Sequence, residues 1–228
     1  MRYLLKYIQF LWHSKNAHGV HSPFVYNLVT QCLLDFNDKP EYATIDKASA
    51  GNASGIKRKH RRLIFRIINY LRPDEVYYEG DSNTGLFNLI NIIITNRDLQ
   101  AFSPLLWRGV GDNVSNLQPK TQNLHPTTLH FIDANKKAAA LHYFRELLFT
   151  KNNNTTFIFN NIYASAEMQQ AWHSIKNQPE VIVSIDTFYI GIIFFQTTQA
   201  REHFKIRTAD SALLNAFLGI RKLWGLID

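Results

Sequence analysis

Two short stretches carry side chains of the type needed to bind and orient a polar ligand. Residues 76–86, VYYEGDSNTGL, pass from apolar residues through glycine and small polar ones and back to apolar ones. Gly80 can bring backbone close to a ligand with no Cβ in the way, while Asp81, Ser82 and Gly85 can build a polar turn beside it. In the second stretch, TLHFID, an apolar run ends in Asp133, a carboxylate able to accept hydrogen bonds or position a reacting group. The nine histidines are the other acid–base candidates. His18 and His21 in HGVHSPF have the spacing of a turn entering a helix, with Pro23 at its first position, and suit docking of the N-terminal region better than a pocket mouth. His130 alternates with Leu129 and Phe131, the pattern of a hydrogen-bonded core histidine. Met168 and Trp172 lie one helical turn apart and read as core. The sequence holds no nucleophilic triad, Cys/His metal cluster or phosphate-binding P-loop.

From residue 75 onward, β-rich runs alternate with helical patterns, the signature of a layered α/β sheet. EVYYEG, LQAF, TLHFID and TTFIFNNI read as strands; GLFNLINIII, KKAAALHYFRELL and AEMQQAWHSIKN read as helices, the second with a Leu141, Phe144, Leu148 stripe and the third with Ser165 as N-cap and Glu167 in its first turn. Residues 103–127 are ambiguous. EVIVSIDTF and GIIFFQ lie too close for an intervening helix and must pair as an antiparallel hairpin, two strands that finish the sheet. MRYLLKYIQFLWHSK reads as an amphipathic helix packing through Leu4, Leu5, Ile8, Leu11 and Trp12, since Lys6 and Gln9 interrupt it well short of a membrane span. DKASAGNASG, residues 46–55, reads as a flexible connection. The expected division is a helical extension and linker at 1–56, an α/β domain at 57–208 and a C-terminal helix at 209–228.

Composition sets the outer bounds. With 46% hydrophobic and 19% charged residues the 228-residue chain is expected to fold around a sizeable core. Cys32 is the only cysteine, which excludes an intrachain disulfide and, with no spanning segment, suggests the cytoplasm; the residue itself reads as a small buried apolar group. The charge of +7 is concentrated: residues 1–72 hold twelve Lys/Arg against four Asp/Glu, the remainder thirteen against fourteen. The focus is KRKHRR, residues 57–62, opening the apparent helix that Pro73 closes. Cations at a helix N-terminus oppose its dipole and could serve an anionic partner; a solvated face is the blander reading. Nucleic acid is disfavoured as that partner, because the hexapeptide lacks aromatics for base stacking.

Taken in order, HGVHSPFVYNLV, LIFRIINYLRP, FIDAN, NNIYASAEMQQAW, IDTFYIGIIFF and HFKIR resemble segments of a family of bacterial class I S-adenosylmethionine-dependent methyltransferases with an N-terminal helical extension, and they span nearly the whole chain. The resemblance implies an α/β, Rossmann-like class I methyltransferase fold, a mostly parallel sheet ending in an antiparallel hairpin. It also implies S-adenosylmethionine bound at the carboxyl ends of the strands between Gly80–Gly85 and Asp133, with methyl transfer, to oxygen, on a small-molecule acceptor.

Departures from the family pattern stand at the same places. Where members resemble E-x-G-T-S-x-G, Tyr78 holds the acidic position and Thr84 the final glycine; Glu79 faces the opposite side of the strand and cannot replace the lost acid. A β-branched Thr84 would be a poor occupant of a position needing positive φ. LQAF supplies no ribose-binding carboxylate before Asp112, and residues 103–127 are too few for two helices and a strand. FIDAN lacks the histidine of F-I-D-G-N-H, and FNNIYAS stands where the family resembles D-D-I-H-W-S. Asp133 with the neutral Asn160 and Asn161 therefore makes a weak metal set, so no metal is expected and the asparagines read as strand-end caps. A partly collapsed pocket is expected. The competing reading is a non-catalytic relative, a pseudoenzyme that keeps the fold and binds a partner, a second copy of the chain among the candidates.

Overall fold

The computed structural model describes residues 2–15, 17, 20–48, 56–95, 106–108 and 127–208. Four helices precede the sheet: α1 (Arg2–His13), α2 (Pro23–Leu28, continued by a π-helical turn at Val29–Leu33), α3 (Glu41–Ala48) and α4 (Arg58–Leu71). Helix α2 starts where the sequence places it, with Pro23 at its first position and the Ser22 hydroxyl accepting from Val25 N–H at 3.4 Å. Helix α4 ends at Arg72, whose φ of 44° gives a left-handed cap without glycine, followed by Pro73.

The remaining elements are β1 (Glu75–Glu79), α5 (Gly85–Thr95), β2 (Leu106–Arg108), β3 (Thr128–Ile132), α6 (Lys137–Leu148), β4 (Thr155–Asn160), α7 (Ala166–Lys176), β5 (Val183–Asp186), β6 (Ile190–Phe194) and β7 (Glu202–Lys205). Among the described residues the strands form one sheet in the order β2-β1-β3-β4-β6-β5-β7. Strands β1 to β4 pair in parallel, β6 inserts antiparallel between β4 and β5, and β7 joins β5 in parallel. This is a Rossmann-like α/β arrangement, a mostly parallel sheet with β6 as its one antiparallel strand among the described residues. Strands β1 and β3 are buried along their whole length, as strands covered on both faces must be. One face packs Val76, Tyr78, Leu129 and Phe131 under α4 and α5; the other packs Ile132, Phe157 and Phe159 under α6 and α7.

Several expectations shift. The expected strand LQAF lies outside the described residues, and the strand beside β1 is Leu106–Arg108, inside the region left ambiguous. The hairpin does not finish the sheet, because β7 adds an edge strand within HFKIR. Asp46–Ala48 belong to α3 and not to a linker, and residues 49–55, like 209–228, lie outside the described residues. On α6 the buried residues are Ala140, Tyr143, Phe144 and Leu147, so the core face is turned from the expected stripe, leaving Leu141 and Leu148 half-buried.

Helix α1 also docks by a different side. Leu4, Leu5, Ile8 and Trp12 are exposed, Phe10 is buried and Leu11 is half-buried. The reason is aromatic: Tyr3, Tyr7 and Phe10 place their rings 5.1, 4.9 and 5.4 Å from Phe188 in the β5–β6 turn. The chain after α1 is then tied to the far sheet edge, Lys15 N–H donating to Lys205 O at 2.7 Å and Arg207 Nη1 to Ser14 O at 2.9 Å.

Candidate functional site

Strands β1 and β3 lie in register with Glu79 opposite Ile132, so the next residues of each, Gly80 and Asp133, leave the sheet side by side at its carboxyl edge. Asp133 N–H donates to Glu79 O at 2.9 Å, drawing the two ends together. A Cβ on Gly80 would stand 3.0 Å from Asp133 O and 3.2 Å from its Cβ, and the Gly80 φ is +156°. Glycine is thus required by the neighbouring strand end as well as by the turn.

The Asp133 carboxylate is engaged on both oxygens. Tyr78 Oη donates to Oδ2 at 2.8 Å and Asn160 Nδ2 to Oδ1 at 2.9 Å. Tyr78 is fully buried, and burial followed by the charge of Asp133 raises its pKa, so the phenol keeps its proton and acts as donor. Behind it, Thr84 Oγ1 lies 2.5 Å from Tyr78 Oη and accepts from Phe87 N–H at 3.2 Å. With the phenol proton directed at Asp133, the Thr84 hydroxyl must donate to Tyr78, which gives a polarised relay from the start of α5 through Thr84 and Tyr78 to Asp133.

Thr84 is therefore no misfit. Among the described residues the non-glycine positions with positive φ are Arg72, Asn161 and Phe188, and Thr84 is an N-cap for α5. Asp81 is exposed and accepts from Asn83 N–H at 2.9 Å; Ser82 and Gly85 are half-buried in the same turn. Asn161 takes a φ of 51°, tolerable for asparagine, and its carbonyl accepts from Ala164 N–H at 2.9 Å. Among the described residues no three His, Cys, Asp or Glu side chains converge on a metal position. His18 and Asp112 lie outside the described residues, and His21 is exposed.

Glu79 points to the opposite face, as the strand alternation requires, where its Oε1 lies 3.1 Å from His130 Nδ1 and the Tyr77 ring stacks on His130 at 4.7 Å. This buried group is structural. Cys32 is buried as well, and burial pushes its thiol up to about 12, which leaves it unreactive. Met168 and Trp172 are core residues. The participant that sequence reasoning missed is Tyr78 as the partner of Asp133. The signal was present in the alternation, which puts Tyr78 beside Phe131 on the strand whose end carries Asp133, but no pattern gives the reach of a phenol.

A second Tyr–Asp pair stands further along the same edge. Tyr163 Oη donates to Asp186 Oδ2 at 2.7 Å, and Phe188 N–H donates to Oδ1 at 2.8 Å. Burial raises the Asp186 pKa against those bonds. Phe188, held at a φ of 75°, stacks on Tyr163 at 4.7 Å and so joins this pair to α1.

No family model matches the chain and no curated protein matches it. Among solved structures it is similar to the SAH-bound methyltransferase PaMTH1 of Podospora anserina, at 9% identity over 77% of this chain and 97% of that one with a TM-score of 0.48. It is also similar to the O-methyltransferase from Bacillus cereus in complex with SAH, at 13% identity over 71% and 93% with a TM-score of 0.42. The fold stands on the strand order itself, without support from likenesses this distant.

Proposed function

We propose that the protein is an S-adenosylmethionine-dependent methyltransferase acting on a small molecule through oxygen. The observation that carries this reading is the emergence of Gly80 and Asp133 together from adjacent parallel strands, at the edge where open α/β sheets take their ligands. The residues fit the cofactor in part. Gly80, Asp81, Ser82 and Gly85 form a polar turn and Asp133 presents a carboxylate, but both its oxygens already have internal donors, so a ligand must compete with Tyr78 and Asn160.

The cofactor, when bound, supplies a methyl group on a good leaving group. What falls to this chain is to hold the partners in line and exclude water. Asp133 would accept hydrogen bonds from the ligand in competition with the Tyr78 hydroxyl on Oδ2. A second reading, a non-catalytic relative acting as a binding or self-association module, is favoured by the same saturation of Asp133. Calorimetric titration with S-adenosylmethionine and with its demethylated product separates the two. Saturable binding of both supports the enzyme, and absence of binding up to roughly millimolar ligand leaves the non-catalytic module.

A further inference from the structure

The basic stretch at the start of α4 does not form a simple solvated face. With α1, the β5–β6 turn and Arg207 it encloses a cavity of about 460 Å³, the size of a metabolite site. Its cations are Arg58, Lys59, Arg62, Arg66 and Arg207, and among the described residues no carboxylate lines it. Outside the lining, Asp46 is shared by Arg58 at 2.7 Å, Arg62 at 3.0 Å and Arg61 at 3.2 Å, and Asp38 lies 3.5 Å from Arg62, so positive charge stays in excess. Arg66 is buried and bonded to two neutral partners, the carbonyls of Cys32 and Leu33. Among the described residues Lys59 has no carboxylate partner and rests 4.8 Å over the Tyr189 ring.

Among the described residues, two polar atoms buried behind the lining also lack hydrogen-bond partners: Tyr42 Oη and His60 Nε2. The Tyr42 ring lies under the Arg62 guanidinium at 4.4 Å, and the His60 ring lies against Tyr189 with centroids 3.6 Å apart. The cavity therefore offers aromatic walls and surplus cations, and the helix dipole of α4 adds to the positive field. That combination selects a ligand with a planar body and an anionic group.

We propose that the cavity between α1 and α4 binds a small aromatic anion carrying a carboxylate or phosphate, its oxygens received by Lys59 and the neighbouring arginines and its ring held among the aromatic side chains of the lining. The assignment does not depend on methyl transfer, and it stands if Asp133 binds no cofactor.

The test is calorimetric titration of the full chain with phenyl phosphate, 2-naphthoate, inorganic phosphate and neutral 2-naphthalenemethanol. Saturable binding of one or both aryl anions is expected, with the neutral compound and inorganic phosphate weaker by about tenfold or more. The stronger of the two aryl anions identifies the anionic group. Lys59→Ala should weaken binding by about tenfold, while the folded state is checked by circular dichroism. Arg145→Ala, which removes an exposed charge on α6 across the sheet, should leave affinity unchanged. Failure of both aryl anions to bind at roughly millimolar concentration overturns the proposal. So does binding that Lys59→Ala leaves intact, loss of binding in Arg145→Ala, or equal affinity for inorganic phosphate.

Discussion

Tyr78 and Gly80 shape the strand-end site, each through its contact with Asp133. Gly80→Ala would force a Cβ to within 3.0 Å of Asp133 O in a backbone conformation at φ +156°, and should cost about 1–3 kcal/mol in urea denaturation. Tyr78→Phe removes the donor at 2.8 Å from Asp133 Oδ2 while keeping the ring that fills the space, and should cost about 1–2 kcal/mol by the same measurement. The strand position of Tyr78 and the placement of Asp133 at a strand tip were legible from alternation alone. Their bond was not, because sequence patterns fix which face a side chain takes but not the distance between two atoms that meet beyond the strand ends.

At the scale of elements, β6 fits between β4 and β5 because Gly191 makes room for Trp172 of α7. A Cβ there would stand 2.5 Å from the indole. Gly191→Ala should therefore destabilise by about 1–3 kcal/mol, and the double variant with Trp172→Leu should lose less than the sum of the two single losses if this contact is the cause. Helix α4 is joined to α3 by Asp46. Desolvation alone would raise this carboxyl, but hydrogen bonds from Arg62, Arg58 and Arg61 prevail and its pKa is lowered. A depressed carboxylate stabilises above its unfolded pKa and loses that contribution as pH falls through the folded value. Acid unfolding should accordingly show a loss below about pH 4 that Asp46→Asn lacks. The α/β alternation, the hairpin and the Ser165 cap, which accepts from Met168 N–H at 3.0 Å, were readable because each has a local cause. The docking side of α1 was not: the helix is apolar on more than one side, and Phe188, far away in sequence, selects between them.

Across the whole molecule, the N-terminal helices and the β5–β6 end of the sheet form a cationic, aromatic-walled region, while the β1–β3 edge carries a carboxylate hydrogen-bonded on both oxygens. Within the former, burial, then Lys59 and Lys57, hold His60 down to about 4. A histidine with a depressed folded pKa is neutral in both states above the unfolded value of 6.5, and stability falls as pH drops from there toward 4. Thermal unfolding should show that slope, and His60→Gln should flatten it. The β1–β3 edge bears the central claim, that Asp133 is the ligand acceptor of a methyltransferase cleft and Tyr78 competes for it. Titration of S-adenosylhomocysteine into the wild-type protein and the Tyr78→Phe variant tests it most directly. The variant should bind more tightly, by up to about tenfold, because Asp133 Oδ2 is released from its internal donor. Identical affinities, or no binding by either protein, would contradict it.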